Sequence, residues 1–247
     1  MKTAKEILIG LCLEHNGNWE KIYKDVLDKK SSETTTTDNV ITLLDKEYPE
    51  NLKQGYKPPF ALFYEGNIKL LNDKNYTKVG IVGELVQEGL DLVLSKELDN
   101  VCFVLDADSP TAIDIATTYS NPVIMVCAYS IEECLTQQQI RKIIKNGGLI
   151  ITERPIIYQG DISKEEMAFV LRVIAGLSDS ILTLPINKRS TALQVINFAL
   201  SNGNTEIMVL PTDTVKGQTL ANNDLLFSGA VCVYDKNSFE SIALGNS

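Results

Sequence analysis

A mostly parallel α/β sheet with helices on both faces is the architecture this sequence predicts, and three observations predict it. Short apolar, β-rich runs recur from residue 60 onward, at 60–64, 78–82, 101–105, 123–126, 149–152, 180–184, 206–210 and 231–234. The segments between them, 84–98, 111–119, 132–146, 163–175 and 190–202, carry helical periodicity. The runs are almost continuously apolar and do not alternate with polar residues, so both faces of the sheet must be covered, which crossover helices provide. In open sheets of this kind ligands bind in the crevice outside the carboxyl ends of the strands. Function is therefore expected in the loops after Val82, Leu105, Val126, Thr152 and Leu184.

Ahead of the sheet, Ala4, Ile7, Leu8 and Leu11 and then Trp19, Ile22, Tyr23 and Val26 fall at helical spacing, with Asn16-Gly17-Asn18 as a turn between them. This predicts a small N-terminal helical hairpin. Residues 29–39, with Ser31-Ser32 and the run Thr34 to Thr37, have no apolar period and read as a linker. The expected division is a hairpin and linker over 1–38 and a sheet domain over 39–247.

With 247 residues, 44% hydrophobic and 22% charged, the chain can bury one substantial core. No apolar run approaches the roughly 20 residues of a membrane-spanning helix, and 7–13 is flanked by Lys5, Glu6 and Glu14, so a soluble cytoplasmic protein with no membrane partner is expected. The five cysteines lack CxxC spacing, and reduced, buried thiols are their expected state. The net charge of −9 and pI near 4.8 make the surface as a whole repel nucleic acid, so any nucleic-acid site must be a local cationic patch. All four arginines, Arg141, Arg154, Arg172 and Arg189, lie between residues 141 and 189, with Lys142, Lys145, Lys164 and Lys188 among them. An anion is expected on the face this segment builds.

Catalytic devices are scarce. His15 is the single histidine and lies in the N-terminal turn, so a histidine-activated nucleophile is not expected, and His15 reads as a helix-end residue. Asp106, Asp108 and Asp114 have no neighbouring histidine or cysteine at ligand spacing; no metal site is expected, and those carboxylates read as a solvated strand-end turn. Gly80-Ile81-Val82-Gly83 runs a strand into a glycine at a helix start, where such sheets expose N–H groups to a phosphate, yet Glu84 and Glu88 follow instead of further glycines.

Four ordered motifs carry a family resemblance. Tyr48-Pro49-Glu50-Asn51-Leu52, followed by Pro58-Pro59-Phe60-Ala61-Leu62-Phe63-Tyr64-Glu65-Gly66-Asn67, resembles the signature YPxxL…PPxxLYxxGN of the DprA/Smf family of DNA-processing proteins. Gly148-Leu149-Ile150-Ile151-Thr152-Glu153-Arg154-Pro155 resembles the family's GLLISExP, and Phe169 through Arg172-Val173-Ile174-Ala175-Gly176-Leu177-Ser178 resembles FxxRNRIIAGLS. Pro211 and then Asn223-Asp224-Leu225-Leu226-Phe227-Ser228-Gly229-Ala230 follow its PG…NxLIxxGA.

The resemblance implies an extended Rossmann fold and a protein that binds single-stranded DNA, helps load a RecA-like recombinase, is not an enzyme and needs no cofactor; it also allows a homodimer. Carried over residue by residue, it offers Gly83, Arg172, Ser190 and Asn223 as DNA- or phosphate-binding positions; the clustered basic residues Arg154, Lys188 and Arg189 are expected at the margins, with Arg172 at the centre of the contact. The departures bear on that site. Where the family has GSR this chain has Gly83-Glu84-Leu85; where it has SGxAxGID, Ala107 through Asp114; where it has RNR, Val170-Leu171-Arg172; where it has SGS, Ser190-Thr191-Ala192. Each change removes a glycine that lets N–H groups approach a phosphate or a cation that neutralises it, and Asp108 adds a negative charge. The alternatives are a module that binds or cleaves a nucleotide or related small ligand in the same crevice, and a scaffold that pairs only with proteins.

Overall fold

The computed structural model describes residues 2–84, 87–94, 98–157, 163–203, 205–213 and 220–245. Two helices open the chain, α1 (Ala4–Glu14) and α2 (Trp19–Leu27). Each begins on a side-chain cap: Thr3 accepts from the Glu6 N–H in a reciprocal capping box, and Asn18 accepts from the Lys21 N–H. The turn between them passes through positive φ at Asn16 (44°) and Gly17 (73°). A Cβ at Gly17 would stand 2.2 Å from the Glu153 carbonyl oxygen, so only glycine lets this turn settle onto the sheet.

The remaining elements are β1 (Val40–Thr42), α3 (Glu50–Gln54), β2 (Ala61–Gly66), β3 (Thr77–Val82), α4 (Gln87–Val93), β4 (Val101–Asp106) and α5 (Pro110–Thr118). They continue through β5 (Val123–Cys127), α6 (Ile131–Cys134), α7 (Gln138–Lys145), β6 (Leu149–Thr152) and α8 (Lys164–Leu177). The chain ends with β7 (Ser180–Thr183), α9 (Gln194–Asn202), β8 (Glu206–Val209), α10 (Asn222–Phe227), β9 (Val231–Cys232) and α11 (Lys236–Ala243). The nine strands form one sheet in the order β1-β2-β6-β5-β4-β3-β7-β8-β9. From β6 through β9 every pairing is parallel, while β1 and β2 join antiparallel at one edge. The expected α/β architecture, mostly parallel and helix-covered, is the observed one.

Successive strand residues alternate between two cores. Val79, Phe103, Met125 and Ile150 face Leu90, Ile115, Ile140 and Phe239, whereas Val104, Ile124 and Ile151 face Leu52, Ile174 and Ile196. Burying each such side chain stabilises the fold by roughly 1.5–3 kcal/mol. A third, smaller core joins the hairpin to the sheet: Leu8, Leu11, Cys12 and Ile22 pack on Ala61 and Phe63 of β2. The segment read as a linker lies along α1, where Ser32 is buried and its hydroxyl donates to the Glu14 carboxylate at 2.5 Å.

Local details differ from the sequence reading. The helix expected over 132–146 is two, because α6 ends at Cys134 and α7 starts at Gln138; Arg141 reaches back to the Leu135 and Thr136 carbonyls across the break. The helix expected over 190–202 opens with a 3₁₀ turn at Thr191–Leu193. Within 84–98 the described helix is α4, and 85–86 and 95–97 lie outside the described residues. The expectation of five reduced, buried thiols is also corrected. Cys127 at the end of β5 is joined by a disulfide to Cys134, which α6 folds back toward the strand, and Cys232 is exposed. Cys12 and Cys102 are free and buried, and burial pushes each thiol up to about 12.

Candidate nucleic-acid interface

The chain builds β3 to β6 in one direction and then crosses back to place β7 on the other side of β3, which makes the carboxyl ends of β3, β4 and β7 the topological switch point. A cavity of about 250 Å³ opens there, lined among others by Gly83, Glu84, Asp106, Ser109 and Ser190. Gly83 has φ 118°, and a Cβ on it would meet the Leu184 carbonyl oxygen at 2.8 Å. The close passage of β7 thus explains the glycine without a ligand. The next N–H, on Glu84, donates to the Pro185 carbonyl at 2.8 Å.

The turn after β4 is internally bonded as well. Ala107 N–H donates to the Val126 carbonyl at 2.8 Å, Asp108 N–H to the Asp106 carboxylate at 3.0 Å, and Ser109 N–H to the Asp106 carbonyl at 3.2 Å. Asp108 accepts the Ala128 N–H at 3.0 Å, tying this turn to the end of β5. The solvated turn expected here is in fact half-buried. Burial first, and the Asp108 charge second, push the Asp106 carboxyl up to about 6. Asp108 is raised too, by burial first and by the Glu133 charge, against the opposing Ala128 hydrogen bond.

Across the crevice, Ser190 accepts the Ala192 N–H at 3.3 Å and so caps the 3₁₀ turn ahead of α9. Lys188 and Arg189 are exposed on the loop before it, Lys188 in an ion pair with Asp224 at 2.6 Å. Asn223 brackets Thr212, accepting its N–H at 3.4 Å and donating to its carbonyl at 3.1 Å. Its neighbour Asn222, which the sequence reading passed over, is fully buried and accepts from the Ile186 N–H while donating to the Leu184 and Leu210 carbonyls. Asn222 thereby fixes the loops after β7 and β8, and only its place beside Asn223 in the motif hinted at it.

Arg172 requires a correction. It was expected at the centre of a surface contact, but its side chain is 1% exposed and donates two hydrogen bonds, both 2.6 Å, to the two carboxylate oxygens of Glu153. Its Nε donates to the Lys57 carbonyl at 2.8 Å. A bidentate pair inside the protein satisfies both ions, and neither faces solvent as a phosphate would need. Arg172 therefore links the loop before β2 to the loop after β6. Phe169's side chain lies outside the described residues.

That link forms the floor of a second cavity, about 360 Å³, between the hairpin and the carboxyl edge of the sheet. Trp19, Tyr56, Lys57 and Arg154 line it. Trp19 is held by Tyr23, stacked at 4.8 Å, by Phe60 at 5.3 Å, and by its indole N–H donating to the Pro58 carbonyl at 2.9 Å. Tyr56 is 49% exposed and stacks on Phe198 at 5.8 Å. The Lys57 ammonium lies 5.2 Å from the Trp19 ring centroid and 5.4 Å from that of Tyr56, and it also pairs with Glu20. Of the positions the sequence reading proposed, the structure gathers Gly83, Lys188, Arg189, Ser190 and Asn223 around the switch point and sets Arg154 with Arg172 at the hairpin cavity. His15, at the end of α1, bonds the Asp25 carboxylate at 2.7 Å.

Fold and site together define a Rossmann-type α/β protein with its candidate contacts along one sheet edge. The chain belongs to the DNA recombination-mediator protein A family, whose sequence profile matches residues 39–91 and 108–242. Protein Smf of Borreliella burgdorferi is 26% identical over 185 residues, 68% of this chain and 56% of the relative, so the chain spans little more than half the length of that protein. Among solved structures, DNA processing protein A (DprA) of Streptococcus pneumoniae superposes with a TM-score of 0.70 at 19% identity, covering 97% of this chain and 93% of the other. DNA processing protein A of Helicobacter pylori, described for its single-stranded-DNA binding mode, superposes with a TM-score of 0.69 at 21% identity, covering 86% of this chain and 99% of the other. No helix among the described residues is long and apolar enough to cross a membrane.

Proposed function

We propose that this chain binds single-stranded DNA along the carboxyl edge of its sheet and acts in DNA processing, uptake or recombination, passing the strand to a RecA-like recombinase. The observation that carries the reading is the placement of cations at two ends of one edge. Lys57 and Arg154 stand beside the end of β6, and Lys188 and Arg189 follow β7, four strand spacings away in the sheet. At about 4.8 Å per spacing the two groups are roughly 19 Å apart, a distance an extended strand spans. Between them Glu84, Asp106 and Asp108 keep phosphates out of the crevice, so the protein acts as a weak, few-contact binder rather than a phosphate cradle. Family membership and the DNA-binding relative from Helicobacter pylori support the same reading.

Fluorescence anisotropy with labelled oligo-dT at several salt concentrations tests it. With three or four phosphates neutralised, log K is expected to fall with log salt at a slope of roughly −2 to −3. No binding at any salt overturns the reading. The nucleotide alternative draws on the 250 Å³ crevice, but a phosphate entering there meets Glu84 and Asp106. A mononucleotide that raised the melting temperature would favour it.

A further inference from the structure

We infer that the cavity between α2 and the sheet is a base-binding clamp, in which one unstacked nucleobase of a single strand inserts between Trp19 and Tyr56 while Lys57 turns its ammonium onto the adjoining phosphate. The inference rests on the single-stranded-DNA reading and adds a contact outside the Rossmann crevice, since Trp19 lies before the family-matched residues.

Both rings are fixed before any ligand arrives. Tyr23, Phe60 and the Pro58 carbonyl hold Trp19, and Phe198 backs Tyr56, so stacking a base costs little side-chain ordering. The Lys57 ammonium lies within 5.4 Å of both centroids, so a planar ring that takes its place touches both platforms. Lys57 is the part that must turn. Its backbone is pinned by Arg172, but its side chain crosses the cavity to an exposed carboxylate on Glu20, a partner that a phosphate can replace at small cost. Of the carboxylates nearby, Glu153 is neutralised by Arg172, and Glu20, which the turn of Lys57 onto a phosphate releases, is exposed and left to solvent, so the cavity lacks the half-buried carboxylates of the switch point. Aromatic rings lining a cavity with an adjoining cation suit every base, which is the chemistry of sequence-tolerant single-strand binding.

Trp19 is the chain's single tryptophan, so its emission reports the clamp directly. The full chain is titrated with unlabelled oligo-dT, with an abasic deoxyribose-phosphate strand of the same length, and with free thymidine, while anisotropy with labelled oligo-dT measures binding independently. Oligo-dT is expected to quench Trp19 and the abasic strand to leave its emission unchanged. Tyr56→Leu, at a half-exposed position whose loss circular dichroism will show to be tolerated, is expected to weaken oligo-dT binding about tenfold and to reduce the quench. Lys57→Gln is expected to weaken binding while keeping the quench at saturation. Oligo-dT that binds by anisotropy without quenching Trp19, and with equal affinity to Tyr56→Leu, overturns the clamp and leaves the DNA reading standing. Thymidine that quenches as effectively as the oligonucleotide overturns it in favour of a free-nucleoside pocket. Absence of all oligo-dT binding overturns both.

Discussion

The switch-point crevice and the hairpin cavity lie on the same sheet edge, yet their chemistry is opposite. At the crevice the backbone N–H groups of Glu84, Ala107, Asp108 and Ser109 are bonded within the chain, and carboxylates face the opening. At the cavity two aromatic rings are held in place, one cation lies over both, and a buried ion pair braces the floor. The contrast teaches that one sheet edge can offer two opposite environments, one closed by its own hydrogen bonds and carboxylates and one lined by the rings that an added hairpin and the loop before β2 bring together.

Breaking the brace should have the largest effect. Arg172→Ala leaves the Glu153 carboxylate without its bidentate partner and frees the Lys57 carbonyl, so it is expected to cost about 3–5 kcal/mol of stability, measured by urea unfolding. Were Arg172 a surface DNA contact, the substitution would leave stability near wild type and lower affinity alone. The crevice sharpens the comparison through pH. The Asp106 carboxyl is raised from 3.8 to about 6, so the folded chain holds that proton more tightly than the unfolded one. Its contribution to stability is complete below about pH 4 and is lost as pH rises through about 6. Asp106→Asn keeps an acceptor for the Asp108 N–H, and at pH 7.5 it is expected to stabilise the fold by about 3 kcal/mol and flatten the loss between pH 4 and 6, as thermal melts across that range will show. The smallest effect belongs to the far end of the edge. Arg189 is exposed, so Arg189→Ala is expected to weaken oligo-dT binding only two- to threefold, about 0.5 kcal/mol, and to make the salt slope shallower by about 0.7.

Much of the sheet was legible because its strands are buried on both faces and read as apolar runs from Val79 to Val209. β1 was not, since three residues carry no period, and the antiparallel direction of β2 leaves no mark in composition. The split between α6 and α7 was hidden because no glycine or proline marks the break at 135–137. At the site, the loss of glycines after β4 could be read directly, whereas the use of those N–H groups by Asp106 depends on a turn that only the fold defines. Arg172 stood out as a motif residue, but Glu153 lies nineteen positions away and its pairing has no spacing signature. Trp19 read as an apolar residue of the hairpin and Tyr56 was not singled out, and 37 positions of sequence conceal that one lysine lies against both rings.

Hydrogen–deuterium exchange of the full chain with and without saturating oligo-dT tests most directly whether the strand is held at the hairpin side of the edge. The account predicts added protection over residues 16–18, 55–57 and 152–154, with little change over 83–84 and 106–109. Protection confined to the switch-point segments, with the hairpin side unchanged, would contradict it.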